Sequence, residues 1–247
     1  MESKFKRIVL KLGGWCFSKT KEVFNPQSIN FLVDEIVMAY KLCQQIIIVP
    51  GGGNIIRGRE LVNQGLNQRT ADQNGMLATC LNGLNLTALL ENRGFEVRLM
   101  PTIEMLEIGE AYRPRRAISH LKKGYIVIIP CGLGMPNFTT DTAAIIRGIE
   151  LDADVMLKAT NVEGIYDCDP GVYNQAKFLP VLTYKGAKAL NIQVFDSTAI
   201  VKAEDGNLPL IVFRMGAGNF EKVISGEPIG SLVGNKEVIA KLRPEHK

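Results

Sequence analysis

The sequence is short of the residues that mark several functional classes. It holds only two histidines, His120 and His246, too few for a histidine-rich metal site. Its five cysteines, Cys16, Cys43, Cys80, Cys131 and Cys168, are odd in number, far apart and without a C-x-x-C pair. That argues against a disulfide framework or structural zinc site and for buried, reduced thiols. Nothing local marks any of them as a nucleophile activated by His120. The strongest apolar runs, Gln45–Val49 and Tyr125–Ile129, fall far below the ~20 residues that cross a bilayer. Met1–Arg7 leads straight into a strand-like run with no apolar segment and cleavage site after it, so no signal peptide and a cytoplasmic location are expected. Charge of one sign is also missing. Lys and Arg total 29 against 25 Asp and Glu, interspersed, for a net +4. That excludes a clustered nucleic-acid footprint and leaves a weak preference for anionic ligands.

What is present is an ordinary globular chain. Its 247 residues are 46% hydrophobic and 22% charged, enough for one large domain or two small ones without staples. Short β-rich runs alternate with helical stretches. Arg7–Leu12, Ile46–Val49, Val97–Met100, Tyr125–Ile129, Val155–Leu157, Leu210–Phe213 and Ser231–Val233 read as strands. Asn25-Pro26 is a helix start, a cap followed by proline at the first helical position, and that helix should run to about Leu42. Further helices are expected over Ala71–Asn92, closed by Gly94, and over Thr139–Ile149, Tyr184–Leu190, Ala199–Ala203 and Phe220–Ser225. Near-continuous apolar strands separated by helices predict a mainly parallel sheet covered on both faces, a three-layer α/β/α sandwich. There is no internal repeat and no linker-like tract, so 1–247 reads as a single domain.

In open α/β sheets ligands sit at the carboxyl ends of the strands. Three strand exits carry glycine there: Leu12-Gly13-Gly14, Pro50-Gly51-Gly52-Gly53 and Pro130-Cys131-Gly132-Leu133-Gly134. Glycine lets backbone N–H groups approach an anion, and a following helix N-terminus adds positive potential. Each loop alone is turn punctuation; the three together predict a phosphate-rich ligand. Familiar fingerprints fail. No Gly-Lys dipeptide permits a Walker A loop, Ile56 stands where G-x-G-x-x-G needs its last glycine, and no G-x-S-x-G elbow occurs.

Two cations stand near these loops. Lys11 interrupts the apolar strand Ile8–Leu12 just before the glycines, where its ammonium can reach a phosphate; the alternative is an edge-strand lysine facing solvent. Arg57 follows the triple glycine, in phosphate reach or on a solvated helix. Phe138-Thr139-Thr140-Asp141-Thr142 opens a helix, as a phosphate cradle or as simple capping, and Asp141 is a candidate partner for Lys11.

Taken in order, five segments carry a resemblance. They are Lys11-Leu12-Gly13-Gly14, Gly51–Gly58, Asp72 with Gly75–Thr79, Phe138–Ala144, and Leu157-Lys158-Ala159-Thr160-Asn161-Val162-Glu163-Gly164-Ile165-Tyr166-Asp167-Cys168-Asp169-Pro170. This set, spanning about Lys6 to Val233, resembles the bacterial uridylate (UMP) kinases of the amino-acid kinase superfamily. The resemblance implies the amino-acid kinase fold and ATP-dependent phosphorylation of UMP to UDP in pyrimidine nucleotide biosynthesis. It also implies Mg²⁺ held mainly by phosphates and water with no protein cage, and a homohexamer needing no nucleic acid or membrane. Lys11, Arg57 and Asp141 would be the catalytic groups. Lys11, Gly13, Gly14, Gly53 and Arg57 would line the ATP phosphates, and Thr160, Tyr166 and Asp169 would hold the adenosine. Gly52, Asp72 and the stretch Leu133, Gly134, Met135, Pro136, Asn137, Phe138, Thr139 and Thr140 would hold UMP. The acceptor-binding part would span about 1–150 and the ATP-binding part about 151–247.

The chain departs from that family's usual G-T-G-N-P acceptor pattern. Leu133 removes a hydroxyl and Met135 an amide, each hydrogen bond worth ~0.5–1.5 kcal/mol. Gly13-Gly14-Trp15 stands where the family usually reads S-G-E, and Ser18–Phe24 replaces the glycine-rich stretch linked to GTP activation. Two alternatives follow: a sibling kinase with another acceptor, or a nucleotide-binding regulator with little turnover.

Overall fold

The computed structural model describes residues 3–20 and 22–246. The first half contains β1 (Arg7–Leu12), α1 (Pro26–Leu42), β2 (Gln45–Pro50), α2 (Gly58–Asn63), α3 (Gln68–Glu91) and β3 (Val97–Leu99). It continues through α4 (Pro114–Lys122), β4 (Ile126–Ile128), α5 (Thr140–Glu150) and β5 (Val155–Thr160). Then come β6 (Ile165–Tyr166), β7 (Phe178–Leu179), β8 (Val181–Thr183), α6 (Tyr184–Ala189) and α7 (Ser197–Asp205). β9 (Leu210–Arg214), α8 (Asn219–Ser225), β10 (Ser231–Gly234) and α9 (Lys236–Leu242) complete the chain.

Eight strands form one sheet in the order β3-β4-β2-β1-β5-β9-β10-β8, every pair parallel except β9 with β10. β6 and β7 form a separate antiparallel pair. The predicted α/β/α sandwich is therefore what the chain builds. Side-chain alternation splits its interior in two. Ile8, Leu10, Ile46, Ile48 and Leu157 pack with α1, α3 and α8 on one face. Val9, Ile47, Val49, Met156 and Val212 pack with α4, α5 and α7 on the other.

Local signals account for the ends of the main helices. Asn25 caps α1, its Oδ1 accepting the Ser28 N–H at 2.9 Å, with Pro26 in the first turn. Asn67 caps α3 through Thr70, which starts that helix before the expected Ala71. Thr139 is the cap of α5 and lies outside it. β5 runs on past the expected Leu157 to Thr160. Helices α2, α4 and α9 and the short strands β6, β7 and β8 lie outside the sequence expectation. Among the described residues, no helix is long and apolar enough to cross a membrane.

The topology fixes where a ligand can sit. From β1 the chain builds β2, β4 and β3 to one side, then returns across the sheet to place β5 on β1's other side. The order reverses between β1 and β5, and a crevice opens outside the carboxyl ends at such a switch point.

Candidate active site

Lys11 lies on β1, between β2 and β5, so the edge-strand alternative is excluded. It faces the α5 side with Val9 and is buried. In register beside it, on β5, is Lys158, also buried. The first turn of α5 brings Asp141 to both. Lys11 Nζ lies 3.0 Å from Asp141 Oδ1, and Lys158 Nζ lies 2.7 Å from Oδ2. Lys158 also donates to the Val194 carbonyl and sits 4.6 Å from the centre of the Phe195 ring. Asp141 Oδ1 has only the ion-pair contact and no well-directed hydrogen bond.

The electrostatics follow from that triad. Burial pushes the Asp141 carboxyl up, but Lys11 and Lys158 outweigh it and hold it below its ordinary value. Burial, aided by the like charge of Lys11, pushes Lys158 down to about 8 against the pull of Asp141. Two ammonium groups against one carboxylate leave the triad itself at +1, with Asp196 a further negative charge near Lys158. An unbalanced buried charge is costly, and a phosphate group would supply the missing negative charge.

The glycine loops close around this point. A Cβ on Gly14 would lie 2.4 Å from the Asn54 nitrogen, and one on Gly52 would lie 2.9 Å from the Thr79 nitrogen, so both backbones are pressed against their neighbours. Asn82, fully buried on α3, donates to the Gly51 carbonyl at 2.6 Å and to Asn54 at 2.8 Å, pinning the triple-glycine loop. Gly53 faces open space. Gly13 precedes a short 3₁₀ turn, with the Trp15 indole beside it. Arg57 is exposed at the cap of α2, donating to the Gly53 carbonyl at 3.4 Å.

On one side of the triad lies a cavity lined by Gly52, Asp72, Leu133, Met135, Phe138 and Thr140, among others. Asp72 faces it and accepts the Asn137 N–H at 2.7 Å, tying the loop to α3. That loop is bent by left-handed residues, Cys131 and Asn137 at φ 67° and Gly132 and Gly134 between them. Gly134, Pro136, Asn137 and Thr139 are not among the residues lining this cavity. Thr139 spends its hydroxyl on the N–H groups of Asp141 and Thr142 and on Asp196.

On the other side a cleft of 550 Å³ is lined by Asn161, Tyr166, Asp169 and Val194, among others. That volume suits a small-molecule ligand. Thr160 is buried beside it, donating its hydroxyl to the Val162 carbonyl at 2.8 Å. A larger cavity, 720 Å³, opens beside Lys6 and Asp154 at the amino ends of β1 and β5, away from the triad.

Sequence reasoning missed three residues here. Lys158 carried a signal, a lysine spaced two from Met156 in an apolar strand, the same pattern as Val9 and Lys11. Asp196 carried a cap signal only. It caps α7 and accepts from Thr139 and Thr142, joining α7 to the start of α5. Asn82 carried none.

Two buried lysines flanking one carboxylate at a switch point, between two clefts, is an arrangement suited to anion chemistry. The amino acid kinase family model matches residues 6–214.

The chain belongs to the amino acid kinase family. Its fold is similar to that of a UMP kinase from Bacillus anthracis, with 36% identity and a TM-score of 0.91 over 94% of this chain and 97% of that one. A UMP kinase from Ureaplasma parvum shares 29% identity, with a TM-score of 0.87 over 95% and 100% of the two chains. A uridylate kinase from Archaeoglobus fulgidus, 24% identical with a TM-score of 0.72 over 92% and 100%, shares the fold. The clefts and the lysine triad lie at the carboxyl edge of the sheet, where phosphate groups can meet backbone N–H groups.

Proposed function

We propose that this chain transfers the γ-phosphoryl group of ATP directly to UMP. A phosphate oxygen of UMP attacks the γ-phosphorus in line as the bond to the β–γ bridging oxygen breaks, giving UDP and ADP. The observation that carries this reading is the Lys11–Asp141–Lys158 triad, set between the two clefts. The likeness to the Bacillus anthracis and Ureaplasma parvum UMP kinases supports UMP as acceptor.

Phosphoryl transfer asks for positioning and charge neutralisation, with no protein nucleophile. Lys11 and Lys158 supply positive charge to the transferring group. Asp141 fixes both ammonium groups, and the Gly13, Gly14 and Gly53 backbones and Arg57 line the phosphates. Gly52, Asp72 and, from the loop 133–140, Leu133, Met135, Phe138 and Thr140 hold UMP. Tyr166 and Asp169 hold the adenosine, with Thr160 bracing the turn beneath them. Acceptor residues thus come from about 1–150, and the adenosine site from 151–247. The donor set suits Mg²⁺ carried on phosphates and water, since both oxygens of Asp141 already face ammonium groups. When bound, that ion supplies further charge neutralisation.

Self-association into a homohexamer is part of the proposal. Leu77, Leu81 and Leu84 form an exposed apolar stripe on α3, of the kind that marks an interface. Five free thiols accord with a cytoplasmic location. The direct test is ³¹P NMR of the chain with ATP, Mg²⁺ and UMP. Growth of the UDP resonances at the expense of ATP supports the reading; ATP loss without UDP overturns it.

A further inference from the structure

Sulfur atoms converge beside the acceptor cavity. Met76 and Cys80, one turn apart on α3, form a buried cluster with Cys131, and Met105 packs against it. The Cys80 Sγ lies 3.7 Å from the Met105 Sδ, and Cys131 packs in the same buried cluster. Two sulfurs each ~2.3 Å from one tetrahedral ion lie ~3.8 Å apart. The Cys80–Met105 spacing lets both sulfurs ligate one ion without moving apart or together.

We propose that Cys80, Cys131 and Met105, with Met76 as a fourth donor, bind a soft monovalent metal ion, Cu(I). Thiolate and thioether sulfurs select Cu(I) over hard cations such as Mg²⁺. Binding is an exchange without electron transfer: Cu⁺ enters, both thiols lose their protons to solvent, and an anionic copper dithiolate forms.

Cys131 supplies the route. It lines the acceptor cavity together with Met76. It is also the root of the acceptor loop, left-handed at φ 67°, with its N–H bonded to Thr79 Oγ1 at 2.7 Å. An ion on Cys131 and Cys80 ties that loop to α3, so Cu(I) and UMP oppose each other; this last point rests on the acceptor-site reading above.

The test is an anaerobic Cu(I) titration of the full chain against a chromogenic Cu(I) chelator, repeated with Ag(I) as a redox-inert probe. One equivalent retained per chain is expected, with retention at least tenfold weaker in Cys80→Ser and in Cys131→Ser. Met105→Leu, a near-isosteric exchange that leaves both thiols in place, is expected to weaken retention severalfold. No retained metal, or retention unchanged in both serine variants, overturns the site. So does a Cys80–Cys131 disulfide found by mass spectrometry in place of bound metal. Retention that resists added UMP leaves the metal site standing and overturns the acceptor-site reading.

Discussion

Lys11 and Lys158 stand side by side in register on β1 and β5, and their ammonium groups close on opposite oxygens of Asp141. Parallel pairing at the switch point makes this possible. Each lysine lies two residues beyond an apolar residue, Val9 or Met156, that faces α5, so both must face α5 as well. The helix then has only to present one carboxylate from its first turn.

The titration of Lys158 gives the first expectation. On the proposed reading its ammonium neutralises the transferring charge, and it is pushed down to about 8 by burial and by Lys11. Below that pH it is charged and active; above it the proton is lost. The kcat/KM for UMP should therefore fall above about pH 8 with a one-proton limb. Lys158→Arg, charged at every accessible pH, should abolish that limb. A flat wild-type profile, or a limb that survives in Lys158→Arg, contradicts the assignment.

Lys11 and Asp141 should separate catalysis from stability. Lys11→Ala leaves a neutral Asp141–Lys158 pair, so kcat should drop by about 10²–10³ with the melting temperature nearly unchanged. Asp141→Asn leaves two ammonium groups facing each other without a counter-charge. That should cost about 3–5 kcal/mol in denaturant unfolding. Equal unfolding midpoints for Asp141→Asn and wild type would refute the triad.

The acceptor loop should respond on KM. Asp72 holds it through the Asn137 N–H, so Asp72→Ala should raise KM for UMP much more than for ATP. Leu133 lines the same cavity, and Leu133→Thr returns a hydroxyl there. One added hydrogen bond would lower KM for UMP about two- to tenfold. Parallel shifts for both substrates, or no shift in Leu133→Thr, would place UMP elsewhere.

The α3 stripe bears on assembly. Leu81 is 49% exposed at its centre, and a lysine there cannot be buried between copies unpaired. Leu81→Lys should therefore reduce the mass measured by light scattering relative to wild type. Identical masses would remove α3 from the interface.

The layers and the glycine edge were legible because apolar periodicity and glycine after a strand are local signals. The Lys11–Asp141 pairing was legible in part, since the lysine breaks an apolar strand and the aspartate opens a helix. Lys158 was passed over because β5 was expected to end at Leu157; read through to Thr160, the strand shows the same lysine alternation as β1. Asp196 and Asn82 act across 54 and 28 residues, on Thr142 and Asn54, and no local pattern reports such partners. Helix α4 did carry a start signal, Pro114 after Arg113, and an apolar face at Ala117 and Leu121, but its mean hydropathy is low.

The central claim is that the buried lysine triad serves UMP phosphorylation. The most direct measurement is ADP release with ATP and Mg²⁺ across UMP, dUMP, CMP, TMP, carbamate and aspartate, with wild type and Lys158→Ala side by side. The account expects turnover with UMP alone, lost by at least about a hundredfold in Lys158→Ala. Turnover with another acceptor in place of UMP, or UMP turnover that Lys158→Ala leaves intact, would contradict it.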